Sequence, residues 1–231
     1  MQEEKKNIGN LFDRIAKHYD LLNHLLSFNI DKLWRKKAIK RLTPCDELLD
    51  VATGTGDFAL EILKQDKAAH ITGIDLSKEM LAVGKEKIKK AQEEKRIQLQ
   101  QEDCASLSLA DESFDALTCA FGVRNFAFLD KGLSEMYRVL KPKSKIIILE
   151  FSYPKNFLIK AVYNFYFTSV LPLVGKIISK DRQAYSYLPK SVKNFPQRED
   201  FLQHLQKAGF RNTGFQSLTF GICTIYYGEK I

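Results

Sequence analysis

The chain has 231 residues and carries 36 Lys and Arg against 28 Asp and Glu, a formal net charge of +8. A hydrophobic fraction of 45% with 11% aromatic residues can build a packed core, which excludes a disordered chain, and the length predicts one domain, 1–231. The four cysteines form no CxxC pair and no apolar leader opens the chain. We therefore expect no metal site, no disulfide framework and a cytoplasmic protein.

Residues 1–45 have a helical pattern and a basic composition, with ten Lys and Arg against five acids in 1–41. The densest part, 32–41, places Trp34 among basic side chains. This mixture is typical of a surface that binds anionic lipid or a phosphate backbone. A solvated basic helix face explains it equally well.

From residue 46 onward, short apolar runs alternate with helical stretches. Strands are predicted at 47–52, 70–76, 97–102, 114–121 and 145–151. The intervening helices end near 63 and 94 and span 129–140, with Ser77 as the cap of the second one. This order favours a doubly wound parallel sheet between helices. A helix at 199–208 precedes a predicted antiparallel pair at 213–218 and 223–227.

The segment between the fifth strand and the last helix lies outside that alternation. Its stretch 157–178 is apolar and aromatic, but the uncharged run 161–175 falls short of the ~20 residues that span a membrane. We interpret the stretch as a lid or surface-embedded helix above an apolar ligand, with a helix hairpin packed on the sheet as the alternative. The predicted parts are N-terminal helices (1–45), a cofactor-binding core (46–152), a lid insertion (153–197) and a C-terminal helix with a strand pair (198–231).

The strongest chemical signal is the segment 48–57, which reads LLDVATGTGD. A buried strand there runs into Gly54 and Gly56 and then into a helix, so that backbone N–H groups can approach a ligand closely. Gly54, Gly56 and Ala59 also satisfy the dinucleotide pattern GxGxxA. The loop alone therefore does not distinguish a nicotinamide cofactor from an adenosyl ligand.

Three acids near this loop, taken together, indicate which of the two ligands the loop binds. Asp75 ends the second predicted strand, where a carboxylate accepts hydrogen bonds from ribose hydroxyls in either case. Asp50 stands at the loop entrance, where it would repel a pyrophosphate but suits an ammonium and a sulfonium. Asp103 closes the third strand and could accept from an adenine amino group. These acids predict S-adenosylmethionine as the co-substrate, and hence a methyltransferase.

Further motifs lie outside the glycine loop. They are YDLLNHLLS at 19–27 with Trp34 following, FGVRN at 121–125, RVLKP at 138–142, EFS at 150–152, YSYLP at 185–189 and FP at 195–196. On these the chain resembles, over nearly its whole length, the menaquinone/ubiquinone biosynthesis C-methyltransferases. The resemblance implies the seven-stranded class I S-adenosylmethionine-dependent methyltransferase fold, with a C-terminal hairpin and a helical lid. It also implies ring methylation of a polyprenyl demethylmenaquinol, with Thr55, Asp75, Asp103 and Cys104 at the cofactor.

A ring carbon becomes a good nucleophile when the adjacent phenol is ionised, and free phenols titrate near ~10. The site therefore needs a cation or donors at that oxygen. Arg124 follows the fourth strand and is the first candidate for this electrostatic role, with a structural ion pair as the alternative. Further candidate donors are Asn125, Tyr185 and Tyr187. His18 or Asp20 could accept the ring proton.

Other functions fit the residues less well. A DNA amino-methyltransferase carries an acid-Pro-Pro-aromatic loop after the fourth strand, where this chain has FGVRN. Cytosine-carbon enzymes use a Pro-Cys nucleophile, and Cys45, the one cysteine after a proline, precedes the first strand. We expect no nucleic-acid partner, a polyprenyl quinol as substrate and transient contact with an anionic membrane. The close alternative substrate is the methoxy-benzoquinol of ubiquinone synthesis.

Overall fold

The computed structural model describes the backbone of residues 2–166, 169 and 182–231, and their side chains except at 2–7, 18, 22, 25, 26 and 182–186. The described residues form one seven-stranded sheet of order β3-β2-β1-β4-β5-β7-β6. Its strands are β1 (Cys45–Val51), β2 (Ala68–Asp75), β3 (Ile97–Gln101), β4 (Phe114–Ala120), β5 (Leu140–Phe151), β6 (Arg211–Leu218) and β7 (Cys223–Glu229). The first five pair in parallel, whereas β7 runs antiparallel to both β5 and β6. The predicted sheet and C-terminal hairpin are therefore confirmed.

The helices alternate with the strands as expected from the sequence. They are α1 (Gln2–Leu26), α2 (Ile30–Ile39), α3 (Asp57–Lys64), α4 (Lys78–Ala91), α5 (Leu129–Val139), α6 (Phe157–Phe165), α7 (Arg182–Asn194) and α8 (Glu199–Lys207). The Ser77 side chain accepts a hydrogen bond from the Met80 amide at 3.1 Å, which confirms the predicted cap of α4. Short 3₁₀ turns lie at 123–125 and 219–221.

Two predicted boundaries differ from the structure by three residues or more, and the others by two at most. α4 ends at Ala91, before the expected residue 94, because Gln92 turns into the left-handed region at φ 61° and closes the helix. β5 begins at Leu140, five residues before the predicted start at 145. Lys143 has a φ of 65° there, and its amide donates to the Lys230 carbonyl at 2.7 Å. The C-terminal residues thus satisfy backbone groups that a free turn would expose to water.

Apolar side chains alternate between the two faces of the sheet and build a core on each. Leu48 packs with Ile62 and Ile71 on one face, whereas its neighbour Leu49 packs with Leu117 and Leu133 on the other. Because successive strand residues point to opposite faces, this pattern requires helices on both sides. The sheet therefore lies between two helical layers and holds its loops in fixed positions.

A third cluster lies above the carboxyl ends of the strands. It joins α1, α6 and α7, which we call the helical cap, through Leu11, Ile15, Tyr163 and Leu188. Two of its helices, α6 and α7, come from the insertion that is interpreted from the sequence as a lid, and α1 packs with them. Of the apolar stretch 157–178, residues 167, 168 and 170–178 lie outside the described residues.

Trp34 does not lie on a basic surface, contrary to one expectation from the sequence. Its side chain is 5% exposed, and its indole N–H donates to the Thr219 hydroxyl at 2.8 Å. The ring packs edge-on against Phe151 at a centroid distance of 6.1 Å. Trp34 thus fixes α2 to the sheet, and the basic residues on the opposite side of this helix face solvent.

Candidate active site

The carboxyl ends of β1, β2, β3 and β4 meet at one edge of the sheet. The chain continues from β1 to β2 and β3 in one direction, and to β4 and β5 in the other. Ligands of such sheets bind outside the strand ends at this reversal. A cleft of about 840 Å³ lies there, its open mouth included, between the loops after these strands and α1. We call it the cofactor cleft.

The glycine loop forms one wall of this cleft. Gly54 and Gly56 have φ values of 57° and 78°, and Ala52 has a φ of 53°. Glycine adopts this left-handed region without the steric cost that a side chain adds. Nothing lies within 4 Å of a Cβ built on Gly54, so the backbone conformation, rather than space, requires glycine there. Gly54 lines the cleft, while Gly56 ends the turn as the N-cap of α3.

Asp75 faces the cleft from the end of β2, as predicted. Its carboxylate accepts from the Gly54 amide and from the Ser77 amide, each at 2.9 Å. Burial raises the pKa of the carboxyl, and these two donors oppose the rise. The two hydrogen bonds tie the glycine loop to the start of α4. They also orient a carboxylate toward the space where a ribose would lie.

The Asp103–Cys104 pair lines the cleft from the loop after β3. Asp103 accepts from the Ala105 amide at 2.9 Å, which fixes its side chain within a tight turn. Cys104 contributes a thiol to the cleft wall, next to Phe126 in the surrounding apolar cluster. The structure therefore brings Gly54, Asp75, Asp103 and Cys104 together around one cavity.

Asp50 lies beneath the loop and does not line the cofactor cleft. It is 1% exposed and accepts from the hydroxyls of Thr53 at 2.7 Å and Thr118 at 2.6 Å. Burial raises the pKa of this carboxyl to about 6, although both hydroxyls oppose the rise. Asp50, a cofactor-binding candidate from the sequence, therefore supports the loop and is not part of the described lining of the cleft.

Thr55 also points away from the cleft. Its hydroxyl donates to the Asp20 carboxylate of α1 at 2.5 Å, and the Lys87 ammonium donates to the same carboxylate at 2.7 Å. Lys87 also pairs with Asp57 at the start of α3. The glycine loop is thereby joined to α1, and Asp20, a candidate base from the sequence, serves as the anchor of that helix.

The residues that α1 places over the cleft were missed from the sequence. Ile8, Gly9, Phe12 and Tyr19 line it from above. Asp13 holds this part of the helix by accepting from the Ser77 hydroxyl at 2.5 Å. The apolar spacing of 8, 12 and 19 along one helix face could have indicated a covering role. Nothing in that spacing shows what the face covers.

Arg124 lies below the floor of the cleft, in a buried ion pair. Its guanidinium donates to the Glu150 carboxylate at 2.7 Å and to the Phe121 carbonyl, and its side chain is 5% exposed. Burial acts to lower the guanidinium pKa, but the charge and hydrogen bond of Glu150, together with Tyr19 and Tyr187, raise the pKa above its usual value. Arg124 therefore stays charged and does not itself line the cleft, although it contacts the carbonyl of Phe121, which does.

Asn125 lines the cleft, whereas Tyr187 approaches from outside it. The Tyr187 hydroxyl donates to Asn125 Oδ1 at 3.0 Å. The side chains of Tyr185 and of His18, which are candidates from the sequence, lie outside the described side chains. Among the side chains that are described, no group of three His, Cys, Asp or Glu could hold a metal ion.

Comparisons with known proteins identify the family. The sequence model of the ubiE/COQ5 methyltransferase family matches residues 1–230. A demethylmenaquinone methyltransferase of Bacteroides fragilis is 47% identical over 230 residues, which cover 99% of this chain and 94% of the relative. The ubiquinone/menaquinone biosynthesis C-methyltransferase UbiE of Geotalea daltonii is 47% identical over 233 residues, covering 100% and 99% of the two chains.

The fold has matches among solved structures at much lower identity. A S-adenosylmethionine-dependent methyltransferase of Thermotoga maritima, described as a possible histamine N-methyltransferase, superposes with a TM-score of 0.69. The two are 20% identical, and the match covers 97% of this chain and 100% of that one. This likeness confirms the class I methyltransferase fold. With the family match it confirms an enzyme that uses S-adenosylmethionine, and the chain belongs to the ubiE/COQ5 methyltransferase family.

Proposed function

We propose that this chain methylates a ring carbon of a polyprenyl demethylmenaquinol and so produces menaquinol. The observation that carries the proposal is one cleft with two unlike kinds of lining. Acidic groups for a cationic nucleoside line it together with the aromatic ring of Phe121 and the amide of Asn125. The B. fragilis relative is named for this reaction.

The residues of the cleft fit S-adenosylmethionine. Asp75 presents a fixed carboxylate to the ribose hydroxyls, and Asp103 lies where it can accept from the adenine amino group. The Gly54 backbone allows close approach of the ligand, and Asp50 adds negative charge behind the loop. When bound, the co-substrate supplies an electrophilic methyl group. The task of the chain is then to align the quinol ring with it.

The loop after β4 is suited to favouring the ionised quinol. Asn125 can donate to the quinol oxygen, and the Arg124 charge acts on the cleft from below. Burial raises the pKa of the Tyr19 hydroxyl, and the Arg124 charge opposes that rise, so its field reaches a group that lines the cleft. A charge of this kind favours a phenolate without contact. Tyr185 remains a candidate donor on α7.

The test is the quinone composition of a host strain with and without this protein. Loss of the protein should leave demethylmenaquinone in place of menaquinone, and its return should restore menaquinone. The purified enzyme should transfer labelled methyl from S-adenosylmethionine to a short-chain demethylmenaquinol. An unchanged quinone pool would contradict the proposal. The alternative is the methoxy-benzoquinol of ubiquinone synthesis, since the G. daltonii relative is named for both pathways; assaying both quinols separates the two.

We further propose that the protein is cytoplasmic and binds the membrane surface peripherally to reach its substrate. No helix in the described part of the chain is both long and apolar enough to cross a bilayer. An exposed apolar surface instead lies on α6, and Phe28, in the turn between α1 and α2, continues it by contacting Tyr166 at a ring distance of 6.2 Å. Its members are 60–75% exposed: Phe28, Phe157, Leu158, Val162 and Phe165.

Positive charge accompanies this apolar surface. α2 begins two residues after Phe28 and carries three exposed lysines, Lys32, Lys36 and Lys37, and its C-cap Lys40 is exposed as well. Arg41 is charged too, but its side chain is held against the protein, because it donates a hydrogen bond to Gln216 at 2.9 Å and stacks on Tyr227. An exposed lysine near an anionic leaflet contributes about 1 kcal/mol to binding. Apolar side chains beside such lysines are the pattern of an interfacial helix.

Vesicle co-sedimentation tests the docking. Replacing these four lysines by Gln should weaken binding to phosphatidylglycerol vesicles by up to about a thousandfold, since about 1 kcal/mol each sums to about 4 kcal/mol. Methylation of a short-chain, soluble quinol should persist. Lys85, Lys89, Lys90 and Lys95 are exposed lysines of the α4 region, and their replacement by Gln is the control of equal charge. If both variants lose vesicle binding equally, the effect depends only on net charge. If the wild type does not bind the vesicles at low salt, the docking proposal is refuted.

A further inference from the structure

The amide of Asn125 has contacts on both of its polar atoms. Its Oδ1 accepts from the Tyr187 hydroxyl at 3.0 Å, and its Nδ2 lies 3.5 Å from the Phe121 carbonyl. A carbonyl oxygen can only accept, so the reverse orientation would place two oxygens against each other. The Phe121 carbonyl therefore decides which atom is nitrogen, and the Tyr187 hydroxyl adds the second hydrogen bond that holds the amide in that orientation.

Tyr187 itself does not line the cofactor cleft in the described structure. It faces a separate groove with Val123 and Phe126, on the far side of the loop that carries Asn125. Its ring packs against the helical cap together with Leu188. Its hydroxyl therefore acts on the cleft through the Asn125 side chain.

We propose that Tyr187 is a positioning residue, which holds the Asn125 amide in the orientation that the Phe121 carbonyl selects, so that its NH₂ group, and not its oxygen, is available to the quinol oxygen. The inference rests on the proposed function, because it presumes a phenolate at that place. The two ends of an asparagine amide have nearly the same shape. An oxygen turned toward a phenolate repels it, whereas an N–H donates a charge-assisted hydrogen bond. The orientation thus decides whether Asn125 helps or hinders ionisation.

A double-mutant cycle tests this coupling. Tyr187→Phe keeps the ring and removes the donor, and we expect kcat to fall about tenfold, the scale of one misdirected donor. Affinity for S-adenosylhomocysteine should stay within about twofold, because Asp75 and its neighbours are untouched. In the Asn125→Ala background, the same Tyr187→Phe change should alter kcat by less than about twofold.

The cap offers a matched control. The Tyr153 hydroxyl donates to Asn164 Oδ1 at 2.6 Å, which is the same chemical pair in an exposed place. Tyr153→Phe should leave kcat unchanged. If Tyr153→Phe lowers kcat as much as Tyr187→Phe does, both effects come from a less stable cap and the inference fails.

A second readout does not depend on turnover. The side-chain amide resonances of Asn125, assigned by their loss in Asn125→Ala, should shift or broaden in Tyr187→Phe, since the amide is free to rotate. Unchanged resonances, or additive losses of kcat in the cycle, would overturn the positioning role. A wild-type enzyme that fails to methylate demethylmenaquinol would instead contradict the proposed function.

Discussion

Asp75→Ala should weaken cofactor binding and lower stability by separable amounts. The carboxylate faces the cleft and also accepts from the amides of Gly54 and Ser77. Its expected hydrogen bonds to the ribose are charge-assisted and worth about 1.5–3 kcal/mol. That range corresponds to roughly 10- to 150-fold in Kd. The two amides that lose their acceptor face the cleft, where water can partly replace it, so we expect a further loss of about 1–3 kcal/mol of unfolding free energy.

The variant should remain folded, because domains of this kind have about 5–15 kcal/mol of stability. Urea unfolding with and without S-adenosylhomocysteine then separates the two effects. At a ligand concentration of 100 times the wild-type Kd, the ligand should stabilise the wild type by about 2.7 kcal/mol. A variant with a 100-fold higher Kd should gain only about 0.4 kcal/mol under the same conditions.

Calorimetry of S-adenosylhomocysteine binding gives the affinity directly. Glu79→Gln is the control, because Glu79 is an exposed acid in the first turn of α4 and its loss removes the same charge outside the cleft. It should change Kd by less than about twofold. A folded Asp75→Ala protein whose Kd matches that of the wild type would refute the ribose assignment.

Two more predictions follow from buried carboxylates. Arg124→Ala should cost about 3–5 kcal/mol of unfolding free energy, because it leaves Glu150 buried without its partner, and urea unfolding measures this. Arg124→Met with Glu150→Gln should recover most of that loss; if its methylation rate also recovers, the Arg124 charge has no part in the reaction. The pKa of Asp50, about 6, lies above the ordinary value of 3.8, so this group favours folding at low pH and loses that contribution as pH rises through 6. Relative to the wild type, Asp50→Asn should therefore gain about 1 kcal/mol of stability between pH 5 and 7, and parallel stability curves of the two proteins would contradict the assignment.

The order and type of the core helices and strands could be predicted from local patterns in the amino-acid sequence. Alternating apolar runs, the Ser77 cap and the glycine loop are local signals, and each acts within a few residues. Parallel strands in a doubly wound order bring their carboxyl ends to one edge, so the convergence of Asp75 and Asp103 on one cleft also followed from the sequence. The hydrogen-bond partners of these carboxylates did not follow from the sequence, because the Gly54 amide that binds Asp75 belongs to the loop after a different strand, β1.

Tertiary structure alone decided which distant side chains meet. Arg124 and Glu150 are 26 residues apart, and Trp34 and Thr219 are 185 apart. The periodicity of a helix shows which of its faces is apolar, but not whether that face meets lipid, a lid or the sheet. Trp34 was thus expected at a basic surface and lies in the core, while α1 covers the cofactor cleft through Phe12 and Tyr19. Burial depends on where whole elements dock, and docking is settled by contacts between segments that no local pattern connects.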